Sequence, residues 1–131
     1  MKVLLADDSG LILDRLKELL SIYEQAEIVA SLKNGTETLE AIRVLKPDLA
    51  ILDIKMPGLS GLEVLNEIRK EDKTIKFIIL TLYASDYYRQ LAIKSGADYF
   101  FNKAEDFEKV SHVVARIIQD AKNDTILKLE I

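Results

Sequence analysis

Five short apolar runs, each followed by a stretch in which apolar residues recur at helical spacing, constrain this chain more than any other feature. Lys2-Val3-Leu4-Leu5-Ala6 is the first run, and from Ser9 onward Ile12, Leu16, Leu19, Leu20 and Tyr23 mark a helix. Ala26 to Ser31, with Ile28 and Val29, is the second, followed by a helix opened by Asn34-Gly35-Thr36, carrying Leu39, Ile42 and Leu45 on one face and closed by Pro47. Leu49-Ala50-Ile51-Leu52 ends at Asp53, and the turn-rich Met56-Pro57-Gly58-Leu59-Ser60-Gly61 leads into a helix marked by Leu62, Leu65 and Ile68. Ile75 to Leu80 ends at Thr81 and precedes a helix over Ser85 to Ser95 stopped by Gly96, while Asp98-Tyr99-Phe100-Phe101 precedes a last helix from Glu105 to Ala121. Phe107, Val110, Val114 and Ile117 face inward on that helix.

Alternation of this kind predicts an α/β fold. Apolar strand runs belong to a parallel sheet covered on both faces, because each parallel pair needs a crossover and the crossovers place helices outside. The expected architecture is a doubly wound five-stranded parallel sheet, (βα)5, with flavodoxin-like strand order 2-1-3-4-5. Residues 1–121 form one domain, and 122–131 are a C-terminal tail or the start of a linker. Asn123-Asp124 is expected to break the last helix, after which Ile126, Leu127, Leu129 and Ile131 are too apolar for a plain solvated tail.

Composition narrows the chemistry. With 131 residues the chain suits one sizeable core rather than two, and no apolar run approaches the roughly 18 to 20 residues of a membrane span. No signal-peptide stretch opens the sequence, so a cytoplasmic location is expected. The absence of cysteine removes disulfides, thiolate zinc sites and cysteine nucleophiles, and the single histidine, His112, cannot build a multi-histidine site and reads as an ordinary helix residue. A net charge of -4 without basic clusters argues against direct nucleic-acid binding by this domain.

In an open doubly wound sheet, ligands bind outside the carboxyl ends of the strands where strand order reverses. That rule gathers Asp7 and Asp8 after strand 1, Asp53 after strand 3, Thr81 at the end of strand 4 and Lys103 after strand 5 around one pocket. Clustered carboxylates repel one another unless a divalent cation and an ammonium neutralise them. Mg2+ meets that need, since it takes oxygen ligands, keeps several waters and typically joins one or two carboxylates to a phosphate. Each residue alone has an ordinary explanation: Asp7-Asp8-Ser9 as a helix cap, Asp53 as a turn former, Thr81 as a strand residue, Lys103 as a solvated charge. Their joint placement at the ends of strands 1, 3, 4 and 5 favours the phosphate site.

At these residues the chain resembles the receiver domain of two-component response regulators. The matching segments are Val3-Leu4-Leu5-Ala6-Asp7-Asp8-Ser9, Leu52-Asp53-Ile54-Lys55-Met56-Pro57-Gly58-Leu59-Ser60-Gly61, Ile79-Leu80-Thr81 and Gly96-Ala97-Asp98-Tyr99-Phe100-Phe101-Asn102-Lys103. The resemblance implies that Asp53 is phosphorylated by a histidine kinase, that Asp8 and Asp53 bind Mg2+ directly, that Asp7 reaches it through water, and that Lys55 adds its backbone carbonyl. It also implies that Thr81 hydrogen-bonds the phosphoryl group, that Lys103 is its cationic partner, and that Phe100 is the aromatic that changes rotamer on activation. The implied chemistry is a phosphoacceptor switch rather than an enzyme acting on other molecules, with electrostatic positioning supplying most of the catalysis.

Implied partners are a sensor histidine kinase or phosphotransfer protein, and a downstream protein target or a second copy bound through the fourth helix, fifth strand and fifth helix, where Tyr87, Tyr88, Tyr99 and Lys94 are candidate contacts. The Lys103-Ala104-Glu105-Asp106-Phe107 junction is reminiscent of receivers joined to helix-turn-helix output domains. Three features depart from the family pattern. Ala104 follows Lys103 where many receivers have proline, and a cis bond there would cost about 3 kcal/mol or more. Tyr99 replaces a commonly small residue and is expected to add an exposed aromatic to the output face, and Phe100 lacks the hydroxyl of the tyrosine often found at its place. Lys55 and Tyr83 flank the line along which water would attack a phosphorylated Asp53, which predicts slow hydrolysis. Three rivals fit less well: a pseudo-receiver that never takes phosphate, a flavodoxin-like binder, which wants a Ser/Thr- or Gly-rich loop where Asp7 and Asp8 stand, and a haloacid-dehalogenase-like phosphatase, whose Asp-x-Asp spacing is missing.

Overall fold

Five strands and five helices alternate: β1 (Lys2–Ala6), α1 (Gly10–Leu20), β2 (Glu27–Leu32), α2 (Gly35–Leu45), β3 (Leu49–Leu52), α3 (Gly61–Arg69), β4 (Lys76–Thr81), α4 (Asp86–Ser95), β5 (Tyr99–Asn102) and α5 (Lys109–Glu130). The computed structural model describes the backbone of residues 1–130 and the side chains of residues 1–126. All strands are parallel in the order β2-β1-β3-β4-β5, as the alternation predicts. Central strands are buried on both faces, which is why β1 and β3 read as unbroken apolar runs. Successive residues serve opposite sides. Leu4, Ala6, Ala50, Leu52, Phe77 and Ile79 pack with residues of α2, α3 and α4, while Val3, Leu5, Leu49, Ile51, Ile78 and Leu80 pack with residues of α1 and α5.

Helices begin where a short polar side chain supplies a cap. Ser9, Asn34, Ser60 and Ser85 accept hydrogen bonds from the free N–H groups of α1, α2, α3 and α4, and Ser60 with Glu63 completes a capping box. Gly96 ends α4 at φ 104°, a conformation that favours glycine.

Two expectations need correction at α5. It starts at Lys109 rather than at Glu105, because Asn102 Oδ1 accepts from Ala104 N and Glu105 N and holds the chain in turns. It also runs through Asn123-Asp124 to Glu130 instead of breaking. Asn and Asp each cost only about 0.7 kcal/mol in a helix, and the Gln119 Nε2 to Asn123 Oδ1 bond, one turn apart at 3.1 Å, offsets part of that. Ile126 is half exposed at 53 %, and the side chains of Leu127, Leu129 and Ile131 lie outside the described residues. No described helix is long and apolar enough to cross a membrane.

Candidate functional site at the carboxyl ends of the strands

β1 and β3 are neighbours, so Asp7 and Asp53, each following the last residue of its strand, lie side by side, and Asp53 N donates to Ala6 O at 3.0 Å. β5 lies beyond β4, and Lys103 N donates to Thr81 O at 2.9 Å, which aims the lysine back across the sheet. Its ammonium bridges the two acids, 2.6 Å from Asp7 Oδ2 and 2.7 Å from Asp53 Oδ2. The remaining carboxylate oxygens are also held: Ser9 N donates to Asp7 Oδ1 at 2.9 Å and Ile54 N to Asp53 Oδ1 at 2.7 Å. All three charged side chains are buried, whereas Asp8 beside them is exposed. Ser9 serves as the helix cap, so capping and site roles fall to adjacent residues rather than competing for the same ones.

Burial raises the Asp7 carboxyl above the ordinary aspartate value, against the lowering effect of its bonds to Lys103 and Ser9. For Lys103 burial works to lower the pKa, but the hydrogen bonds and charges of Asp53 and Asp7 outweigh it and the ammonium holds its proton more tightly than usual. Asp7, Asp8 and Asp53 each offer one carboxylate oxygen within 4.8 Å of the others. Three carboxylates against one ammonium leave a local charge of -2, and the donors are hard oxygens, so the set fits a divalent cation of the Mg2+ kind.

The site opens into a cleft of about 460 Å3 lined by Asp8, Arg15, Asp53, Lys55, Tyr83 and Lys103 among others. Larger clefts lie elsewhere, between α2, α3 and α4 and beside the end of α5, and hold none of Asp7, Asp8, Asp53, Lys55, Thr81, Phe100 and Lys103. Thr81 is fully buried, its hydroxyl accepting from Tyr83 N at 3.1 Å. Phe100 is buried among the residues packed by α3 and α4, with the Arg89 guanidinium 4.8 Å from its ring centre. Among the described residues no peptide bond is cis, so Lys103-Ala104 is trans.

The aromatic residues near the site divide between surface and core. Tyr87 is exposed, whereas Tyr88 is half-buried and packs against the core cluster that includes Ala92 and Phe100. Tyr99 is half-buried rather than exposed: it stacks on Phe101 at 6.1 Å and packs on the α5 side of the sheet, because alternate residues of β5 point to opposite faces. Two contacts at the cleft are not evident from the sequence. Tyr88 joins Tyr83 around the Lys55 ammonium, whose nitrogen lies 5.6 Å and 5.3 Å from the two ring centres. Arg15 lines the cleft and lies 4.2 Å over the Phe107 ring. The spacing of Ile12 and Arg15 on one face of α1 carries a hint of the second; nothing local to the sequence carries the first.

Comparison with known proteins agrees with this geometry. The sequence pattern described as the response regulator receiver domain matches residues 3–115. The uncharacterized transcriptional regulatory protein YvfU of Bacillus subtilis (strain 168) is 33 % identical over 119 residues, which is 91 % of this chain and 60 % of that protein. This chain thus spans little more than half the length of such relatives. The crystal structure of a DNA-binding response regulator of the LuxR family from Staphylococcus aureus superposes with a TM-score of 0.81 at 31 % identity, covering 88 % of this chain and 97 % of that one. A chain of the CheX-CheY-BeF3-Mg+2 complex from Borrelia burgdorferi superposes with a TM-score of 0.81 at 25 % identity, over 90 % of this chain and 89 % of that one. With the family pattern spanning most of the length and the acid–lysine cluster at the strand ends, the chain belongs to the response regulator receiver domain family.

Proposed function

We propose that this domain is a phosphoacceptor switch in which Asp53 takes a phosphoryl group from a histidine kinase or phosphotransfer protein. The observation that carries the reading is the buried Lys103 ammonium bridging Asp7 and Asp53, with the exposed Asp8 carboxylate in the same cluster. An Asp53 carboxylate oxygen attacks phosphorus of the donor's phosphoimidazole; the O–P bond forms as the N–P bond breaks, and the electron pair leaves on the imidazole nitrogen. Lys103 already sits against Asp53 and transfers its hydrogen bond to a phosphoryl oxygen as charge builds there. Thr81 offers its hydroxyl to the same group once it releases Tyr83 N. Asp7, Asp8, Asp53 and the Lys55 carbonyl would hold Mg2+, which supplies charge neutralisation at the phosphoryl oxygens. The Mg named with BeF3 in the related CheX-CheY complex favours Mg2+ as the ion.

The switch joins Thr81 to Phe100 on adjacent strands, paired through Thr81↔Asn102 and Ile79↔Phe100, and reads out on the α4, β5 and α5 face to a downstream protein or a second copy. In a longer regulator, residues 1–121 would be the receiver and 122–131 would lead to an output domain; the transcriptional names of the relatives favour a DNA-binding one. The reading extends to a cytoplasmic location and to slow loss of the phosphoryl group by self-catalysed hydrolysis. Intact-mass analysis after incubation with acetyl phosphate tests the core of it. A single phosphoryl adduct that needs Mg2+ is expected, and an adduct formed equally well by Asp53→Asn would overturn the assignment.

A further inference from the structure

The loop over residues 54–60 joins Asp53 to α3 and carries Lys55. Its backbone is pinned on either side of that residue. Gly61 N donates to Ile54 O at 2.9 Å, and Gly35 N, at the start of α2, donates to Pro57 O at 2.9 Å. The second pin depends on an approach only glycine allows: a Cβ on Gly35 would lie 1.7 Å from Leu59 O and 2.5 Å from Leu59 C, both backbone atoms that no rotamer change can move. Next to it Gly58 adopts φ 76° and lies so close to Thr36 that an added Cβ would fall 2.6 Å from Thr36 Oγ1. Leu59 completes the joint by packing its side chain against the core and lining the cleft it shares with Leu39 of α2. Nothing in the site chemistry uses Gly35, yet it lies against the one loop whose backbone carbonyl belongs to the expected donor set.

We propose that Gly35 is a positioning residue for the divalent cation. By letting α2 lie directly on residues 57–59, it fixes the loop that presents the Lys55 carbonyl beside Asp53. The inference rests on the metal reading above. A side chain at position 35 must push the loop and α2 apart, and carbonyls that are not held in place bind a demanding octahedral ion poorly.

Mg2+ affinity, measured by isothermal titration and by NMR shifts of the unphosphorylated protein, tests this. Gly35→Ala is expected to weaken binding by about tenfold or more, the usual cost of disturbing a metal site's supporting shell. Leu59→Ala, which loosens the same loop without a clash, should weaken it severalfold and decides the matter if Gly35→Ala does not fold. Gly96→Ala is the control: it strains a backbone at φ 104° where an added Cβ meets the Arg69 side chain rather than the loop, and lowers stability without changing Mg2+ affinity. Wild-type affinity in Gly35→Ala or Leu59→Ala, or an equal loss in Gly96→Ala, would overturn the proposal. Failure of the wild type itself to bind Mg2+ would overturn the metal reading and this inference with it.

Discussion

At the amino-terminal ends of the strands, charged groups are exposed and satisfied close by: Asp48 Oδ2 accepts from Lys2 N at 2.7 Å, Lys2 Nζ donates to Leu45 O at 2.6 Å, and the terminal ammonium donates to Gln25 O at 2.7 Å. At the carboxyl-terminal ends, Asp7, Asp53 and Lys103 are withdrawn from water and satisfied only by one another and two backbone N–H groups. The same sheet thus holds its charges in two regimes. At the first end they tie strand starts to neighbouring loops at little desolvation cost. At the second they carry a desolvation cost and an unbalanced negative charge, an arrangement poor for stability and suited to attracting a divalent cation.

The sharpest way to break this contrast is to remove one group from each end. Lys103→Met leaves two buried carboxylates facing one another and should destabilise the metal-free protein by about 3 kcal/mol in urea denaturation at neutral pH. Asp48→Ala, which deletes an exposed acceptor, should cost no more than about 1.5 kcal/mol. Equal costs would mean the two ends do not differ as described. Asp53→Asn should move in the other direction. Removing one of two carboxylates that share a single ammonium is expected to stabilise the metal-free protein by about 1 kcal/mol, a gain that saturating Mg2+ abolishes by favouring the wild type.

Which parts of this were legible in the sequence follows from the range of the forces involved. The strand runs and the strand-end positions of Asp7, Asp53, Thr81 and Lys103 are fixed by alternation and by the rule that orders parallel sheets, and of these Asp7, Asp53 and Lys103 meet through their side chains. That Asp7 is buried and Asp8 exposed depends on which side of the turn each faces, and no pattern of residue types encodes that. The orientation of Tyr99 follows from strand parity and was legible in principle, but its unusual size drew attention to the surface instead. Asn123-Asp124 do not break α5 because the local preference of two residues is small against a helix of 22 residues. The Gly35 and Leu59 contact is tertiary throughout, and Asn34-Gly35 looked only like a helix start.

Titration separates the two ends by sign. In the metal-free protein the Asp7 carboxyl lies above its unfolded value because of burial, so its contribution to stability is full in acid below that unfolded value and is lost as pH rises through the folded one. Asp72, half-buried before the start of β4, is lowered by its bonds to Thr74, so its contribution is present above its unfolded value and lost as pH falls through the folded one. NMR titration of the carboxyl carbons should show Asp7 protonating at higher pH than Asp72; the reverse order would contradict the assignment of burial as the dominant cause. A smaller effect is expected at the mouth of the cleft. Tyr83 stands beside Lys55 there, and Tyr83→Ala should shorten the lifetime of the phosphorylated state several-fold, a barrier change of about 1 kcal/mol. Superimposable decay curves for wild type and variant would remove water exclusion by this ring from the account.

On the proposed function, the buried end of the sheet takes a phosphoryl group on Asp53 alone. Borohydride reduction of the phosphorylated protein converts an aspartyl phosphate to homoserine, and peptide mass analysis then locates it. Homoserine is expected at position 53, formed only when Mg2+ was present during phosphorylation. Homoserine at Asp7, at Asp8 or at an acid outside the cluster, with Asp53 unmodified, would contradict it.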